Sequence, residues 1–240
     1  EVIVGDETYT YGPLGNLTVG EFYRMQRDGR FVQTSQIAPE TYRAFFEPYL
    51  KAGKDVLYMG FSSGMSGTMN SAFLCARELE EEYPDRKIIC IDTLCGSVGE
   101  GFLVYEAAQK QAGMSFDELV DWVNDRCLNV CHWFTVDTFE HLLHGGRVSS
   151  VAATMGTVLN IKPMLYVDEE GKLKTAEKPR GNKQAIKAKL AHMQETWAPE
   201  KGNLVLVGHA DNPEGGVMLR DEIIAKFPNA DVKLADIGPV

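Results

Sequence analysis

The densest group of reactive side chains in this 240-residue sequence is Gly60-Phe-Ser-Ser-Gly-Met-Ser-Gly-Thr68, with hydroxyls at Ser62, Ser63, Ser66 and Thr68. It follows the apolar run Asp55-Val-Leu-Tyr-Met-Gly-Phe61, which reads as a buried strand. It precedes a helical pattern from about Ser66, with Met69, Ala72, Phe73, Ala76 and Leu79 on one face. A Gly/Ser turn at a helix N-terminus offers unpaired amides, the positive end of the helix dipole and hydroxyl donors, which together bind an anion. The same residues also serve as plain helix caps. The turn contains no lysine or arginine, so an anion there is held by neutral donors, which suits a monocarboxylate better than a phosphate.

A rival chemistry uses the same residues. Gly60-Phe61-Ser62-Ser63-Gly64 spells G-x-S-x-G between a strand and a helix, the nucleophile-elbow pattern of the α/β-hydrolases. Ser62 would be the nucleophile of an esterase or lipase, His209 its base and Asp137 the orienting acid, in the chain order Ser, Asp, His. His209-Ala-Asp-Asn-Pro213 reads equally as a strand end that caps the next helix.

Two further stretches carry polar groups at turns. Thr34-Ser-Gln36 is a hydroxyl-rich turn ahead of Pro39, between two helical segments. Gly145-Gly-Arg-Val-Ser149 follows a short helix from Thr138 to His144, so its glycines read as a left-handed helix terminus that projects Arg147 outward. His132, His141, His144 and His192 lack metal-ligand spacing and read as structural or surface residues, and no metal is expected.

Composition narrows the possible partners. Twenty-four basic against 34 acidic residues give a net charge of −10, which repels nucleic-acid phosphates and anionic membrane surfaces, so no nucleic acid and only transient membrane contact are expected. The longest apolar runs, such as Asn203-Leu-Val-Leu-Val-Gly208, fall far short of the roughly 20 residues of a membrane helix. Glu1-Val-Ile-Val-Gly5 has no secretory pattern. Five cysteines without a C-x-x-C pair argue for free thiols in a reducing cytoplasm.

The elements that must position these groups alternate. Thr18-Val-Gly-Glu21 is a capping box that opens a first helix to about Asp28, and a second runs from Pro39 to near Gly53. The strand at 55–61, the helix from Ser66, the strand Lys87-Ile-Ile-Cys-Ile91 and a helix from Gly99 to about Ala112 predict a parallel α/β lobe over residues 1–113. A second capping box, Ser115-Phe-Asp-Glu118, opens a lobe over residues 114–240. That lobe has a strand at 130–136, a hairpin across Asp168-Glu-Glu-Gly171, helices at 183–197 and from Pro213, and strands at 203–209 and 231–237. The fold class is α/β with two lobes, parallel and then mixed, and the cleft between lobes is the default ligand site.

Taken together these stretches resemble the DegV family of fatty-acid-binding proteins. The resemblance is carried by Thr34-Ser-Gln36, Ser62-Ser-Gly-Met-Ser-Gly-Thr68, Asp92 with Ser97, Gly99 and Gly101, Asp137-Thr-Phe-Glu-His-Leu-Leu-His-Gly-Gly-Arg-Val-Ser149, Leu159-Asn-Ile-Lys-Pro163 and Gly208-His-Ala-Asp211. It implies a carrier, not an enzyme, that encloses an acyl chain in a lipid tunnel between its lobes. The candidate ligand-binding residues are then Thr34, Ser62, Ser63, Ser66 and Gly67, with the hydroxyls of Thr34 and Ser66 on the carboxylate. It also implies that a separate ATP-dependent fatty acid kinase phosphorylates the bound acid to an acyl phosphate. ATP would bind that partner, and the sequence has no G-x-x-x-x-G-K-[ST] loop of its own. Arg147 is assigned to the kinase contact, where its guanidinium can fork onto a carboxylate. Family members start with a core strand and an Asp-Ser-Thr type loop and continue past the Ile-Gly-Pro segment. The sequence is therefore expected to be a fragment of its natural product.

Overall fold

The computed structural model describes residues 1–12, 14–149 and 160–239. Of the stretches that carry the resemblance, Leu159 lies outside these residues, as does the terminal Val240.

The chain opens on strands rather than on helices. β1 (Val2–Val4) and β2 (Glu7–Tyr9) form an antiparallel pair, and β3 (Gln33–Thr34) adds to the other edge of β1, with Val2 opposite Thr34. Three residues are too few for an alternation signal, and the strand is made by its pairing with β2 and β3, with Val2 and Val4 buried against Leu17 and Phe22. α1 (Val19–Arg27) starts on the expected capping box: Thr18 caps the Glu21 amide, and the Glu21 carboxylate accepts from the Thr18 amide at 3.0 Å.

α2 (Pro39–Lys51), β4 (Val56–Gly60), α3 (Thr68–Glu82), β5 (Ile88–Asp92) and α4 (Val98–Lys110) follow in the expected alternation. α5 (Phe116–Arg126) opens on the second capping box, at Ser115 and Glu118. β4 and β5 pair in parallel, with Gly60 opposite Asp92. Tyr42, Phe46, Leu50, Ala72, Leu79 and Ile88 form one buried cluster, and Ile91, Leu103, Ala107, Val123 and Cys127 form a second. Helices cover both faces, as a parallel pair requires.

β6 (Trp133–Thr135) pairs antiparallel with β7 (Met164–Val167), which in turn neighbours β8 (Leu173–Glu177). α6 (Glu140–His144) follows β6; α7 (Gly181–Thr196) precedes β9 (Leu204–His209), α8 (Pro213–Lys226) and β10 (Asp231–Asp236). β9 and β10 pair in parallel, and Val207, Leu190, Ile223 and Phe227 are buried beside them.

The chain divides into two compact units, but not at residue 113. One unit comprises Glu1–Ser35, His132–Tyr166 and Leu173–Val240; the other comprises Gln36–Cys131 and Val167–Lys172. α5 stays with the preceding strands because Val123 and Cys127 pack with Leu103 and Ala107. The opening segment joins the C-terminal elements: the Tyr23 hydroxyl donates to the Ile237 carbonyl at 2.9 Å, and Arg27 pairs with Asp211. The parallel β4–β5 pair thus falls in one unit, while the antiparallel opening sheet and the mixed strands β6 to β10 fall in the other. No helix among the described residues is long and apolar enough to cross a membrane, and all five cysteines are free thiols.

Candidate functional site

In the unit that holds β4 and β5, the Ser62–Thr68 turn leaves the C-terminal end of β4 and enters α3. Its geometry is fixed from below. Ser62 is fully buried, its hydroxyl donates to the Gly171 carbonyl at 2.8 Å and accepts from the Gly64 amide at 3.1 Å, and its own amide donates to the Cys95 carbonyl at 2.9 Å. Gly64 is obligatory for this approach, because a Cβ there would come within 2.4 Å of the Glu170 carbonyl oxygen. Asp92, at the end of β5, accepts from the Ser63 and Leu94 amides at 3.1 Å each and so joins the two strand-to-helix turns.

The other hydroxyls divide between anchoring and display. Thr68 is buried; its hydroxyl accepts from the Ile37 amide at 3.3 Å and lies 3.1 Å from the Tyr42 hydroxyl, which in turn lies 3.1 Å from that of Tyr58. Burial pushes the Tyr58 phenol well up from its ordinary range. Ser66 is half-buried and accepts from the Thr68 amide at 3.3 Å, which leaves its hydroxyl proton for another acceptor. Ser63 is exposed, with only its backbone amide engaged among the described residues. Gly67 is the N-cap position of α3, without a side-chain cap, and the Gln36 amide group lies where its Cβ would be, 2.6 Å away. Ser62 and Thr68 are therefore structural anchors, while Ser63 and Ser66 present donor groups at the start of a 15-residue helix.

Two groups in this unit have no local sequence signal. Gly171, at φ +70° in the β7–β8 hairpin, meets Ser62 across 109 positions. Glu100, in the first turn of α4, has its carboxyl pushed up to about 7 by burial. Leu94 and Ser97, in the loop between β5 and α4, both adopt φ +54°, a conformation that costs a non-glycine residue energy.

The remaining candidates lie in the other unit. Thr34 is not in a turn but ends β3, exposed, and neither it nor Ser35 caps α2, whose N-cap is Ala38. α6 ends as expected: Gly146 has φ +72° and donates to the Leu143 carbonyl, while the Arg147 amide donates to that of Leu142, a complete Schellman motif. The exposed Arg147 side chain folds back onto the Gly145 carbonyl. His209 closes β9; its buried Nδ1 faces Asp236 at 3.3 Å, off the line of a hydrogen bond. Asn212 caps α8 through the Gly215 amide at 3.0 Å, with Pro213 at the first helical position. Asp137 accepts from Lys162 at 2.6 Å. The proposed acid of a hydrolase is thus engaged by Lys162, the proposed base faces Asp236, and the Ser62 proton rests on a carbonyl, which is no base.

The pattern of the family described as "Uncharacterised protein, DegV family" matches residues 1–240. A DegV domain-containing protein of Clostridium perfringens is 40% identical over 225 residues, 93% of this chain and 77% of that protein. Among solved structures, a fatty acid binding DegV family protein from Streptococcus agalactiae matches with TM-score 0.82 and 26% identity, over 99% of this chain and 82% of that one. The fatty acid kinase (Fak) B3 protein of Streptococcus pneumoniae, loaded with linoleic acid, shares the fold with TM-score 0.84 at 23% identity, over 98% of this chain and 82% of its own. A family pattern that spans the whole sequence, together with a relative at this identity, establishes that the chain belongs to the DegV family.

Proposed function

We propose that this chain binds a long-chain fatty acid and presents its carboxylate to a separate ATP-dependent fatty acid kinase, which forms the acyl phosphate on the bound acid. The observation that carries the reading is the Ser62–Thr68 turn. Two hydroxyls are spent on holding it, and Ser66 and Ser63 are left as neutral donors at the uncapped N-terminus of α3, with no cation in the segment. Donors of this kind orient a single negative charge without gripping it. Thr34, which matches the family's motif, is proposed as a further ligand-binding hydroxyl.

Retention falls to the acyl chain. Burying about 15 methylenes contributes roughly 12 kcal/mol gross, against about 1 kcal/mol net for one neutral hydrogen bond. The relative from Streptococcus agalactiae, described as fatty acid binding, supports the ligand class, and the fold shared with the kinase B3 protein supports the partner. The division of labour is tested by titrating labelled fatty acid into the wild type and Ser66→Ala. Ser66→Ala should lower affinity by about fivefold, the worth of one hydrogen bond, and should slow phosphorylation by the kinase. Unchanged binding and unchanged phosphorylation in both Ser66→Ala and Thr34→Val would remove these residues from the head-group site.

A further inference from the structure

In the unit that does not hold the serine turn, β6 and α7 bring together four side chains that the carrier reading does not use. Trp133 and Thr135 are two apart on β6 and share a face; Lys189 and His192 are three apart on α7 and share another. His192 stacks on Trp133, with ring centres 3.7 Å apart, and Glu177 engages its Nε2 at 2.6 Å. Lys189, half-buried, reaches Thr135, whose hydroxyl oxygen accepts from Nζ at 2.7 Å. Among the described residues no carboxylate pairs with Lys189, and the nearby acids Glu177 and Glu195 face His192 instead. Residues 150–159 contain no aspartate or glutamate.

An ammonium taken out of water without a carboxylate is costly, and one neutral hydroxyl does not replace its hydration. This environment raises the share of the neutral amine, which carries the lone pair that makes lysine a nucleophile. We infer that Lys189 is a site of spontaneous N-acylation by small acyl phosphates. In the step, the amine lone pair attacks the acyl carbon, a C–N bond forms as the C–O bond to phosphate breaks, phosphate leaves with the electron pair, and the surplus amine proton passes to solvent. The amide product keeps one N–H for Thr135 and removes a charge the site disfavours. Burial, which holds the amine down to about 8, acts in the same direction. The inference does not depend on which ligand the chain carries.

Lys183 and Lys187, exposed on the same helix, serve as internal references. The folded chain is incubated with acetyl phosphate across a range of pH and the extent of acetylation at each lysine is read by peptide mass spectrometry. Near neutral pH, Lys189 should be modified at least roughly tenfold faster than either reference, with a rate that levels off above about pH 8. In denaturant the three lysines should react alike. Labelling of Lys189 in the folded chain at or below the rate of the references, or an advantage that persists in denaturant, would overturn the inference.

Discussion

Ser62 shows how a side chain with a reactive look can be a structural one. Its hydroxyl is buried between the Gly171 carbonyl and the Gly64 amide, so Ser62→Ala should destabilise the chain by about 1–3 kcal/mol, read by urea unfolding, because both partners are left unpaired. Fluorophosphonate should leave Ser62 unlabelled; stoichiometric labelling that is lost in His209→Ala would restore the hydrolase reading. The turn itself was legible, since its hydroxyls stand out in sequence, but the partner 109 positions away was not. Glu100 was equally silent, because burial is a property of the packed helix and not of a glutamate in a sequence. Its folded carboxyl, at about 7, binds a proton more tightly than the ordinary carboxyl at 4.5. Both states hold the proton below pH 4.5, stability falls as pH rises from 4.5 to 7, and the cost is complete above that. Glu100→Gln should therefore raise unfolding free energy by about 1 kcal/mol above pH 7, after allowance for solvent screening, and leave it unchanged below pH 4.5. An equal effect at both ends contradicts this origin.

At the scale of elements, local motifs are legible in the sequence and long-range pairing is not. Both capping boxes form, and Gly53 and Gly146 end their helices with positive φ, because these motifs are closed by residues within one turn. The opening hairpin has no signal in the sequence, since β1 and β2 are three residues each and their identity rests on pairing with each other and with β3. The split at residue 113 differed for the same reason: what groups α5 with β5, or Tyr23 with Ile237, is contact between distant positions. The turn into α3 depends on such a contact too. Gly64→Ala places a methyl against the Glu170 and Gly171 carbonyl oxygens, both backbone, so the turn and the hairpin must separate. The variant should lose about 1–3 kcal/mol of stability and weaken fatty-acid binding together. Wild-type stability with wild-type uptake would show that the turn does not need this approach.

For the whole molecule the carrier reading separates holding a ligand from handing it on. Arg147 sits beyond the Schellman end of α6, exposed, in the unit that does not contain the serine turn. Arg147→Ala should leave thermal stability and fatty-acid uptake intact while weakening the kinase complex by about 2 kcal/mol, roughly thirtyfold, seen as slower acyl phosphate formation. Loss of the fatty acid with kinase docking unaffected would assign Arg147 to the head group instead. All of this stands on the ligand itself, and the most direct measurement is mass spectrometry of lipid extracted from the purified chain, with the stoichiometry determined against protein. The account predicts a long-chain fatty acid at close to one molecule per chain, retained through purification because its methylenes are buried. A lipid-free preparation that also fails to take up added fatty acid would contradict it.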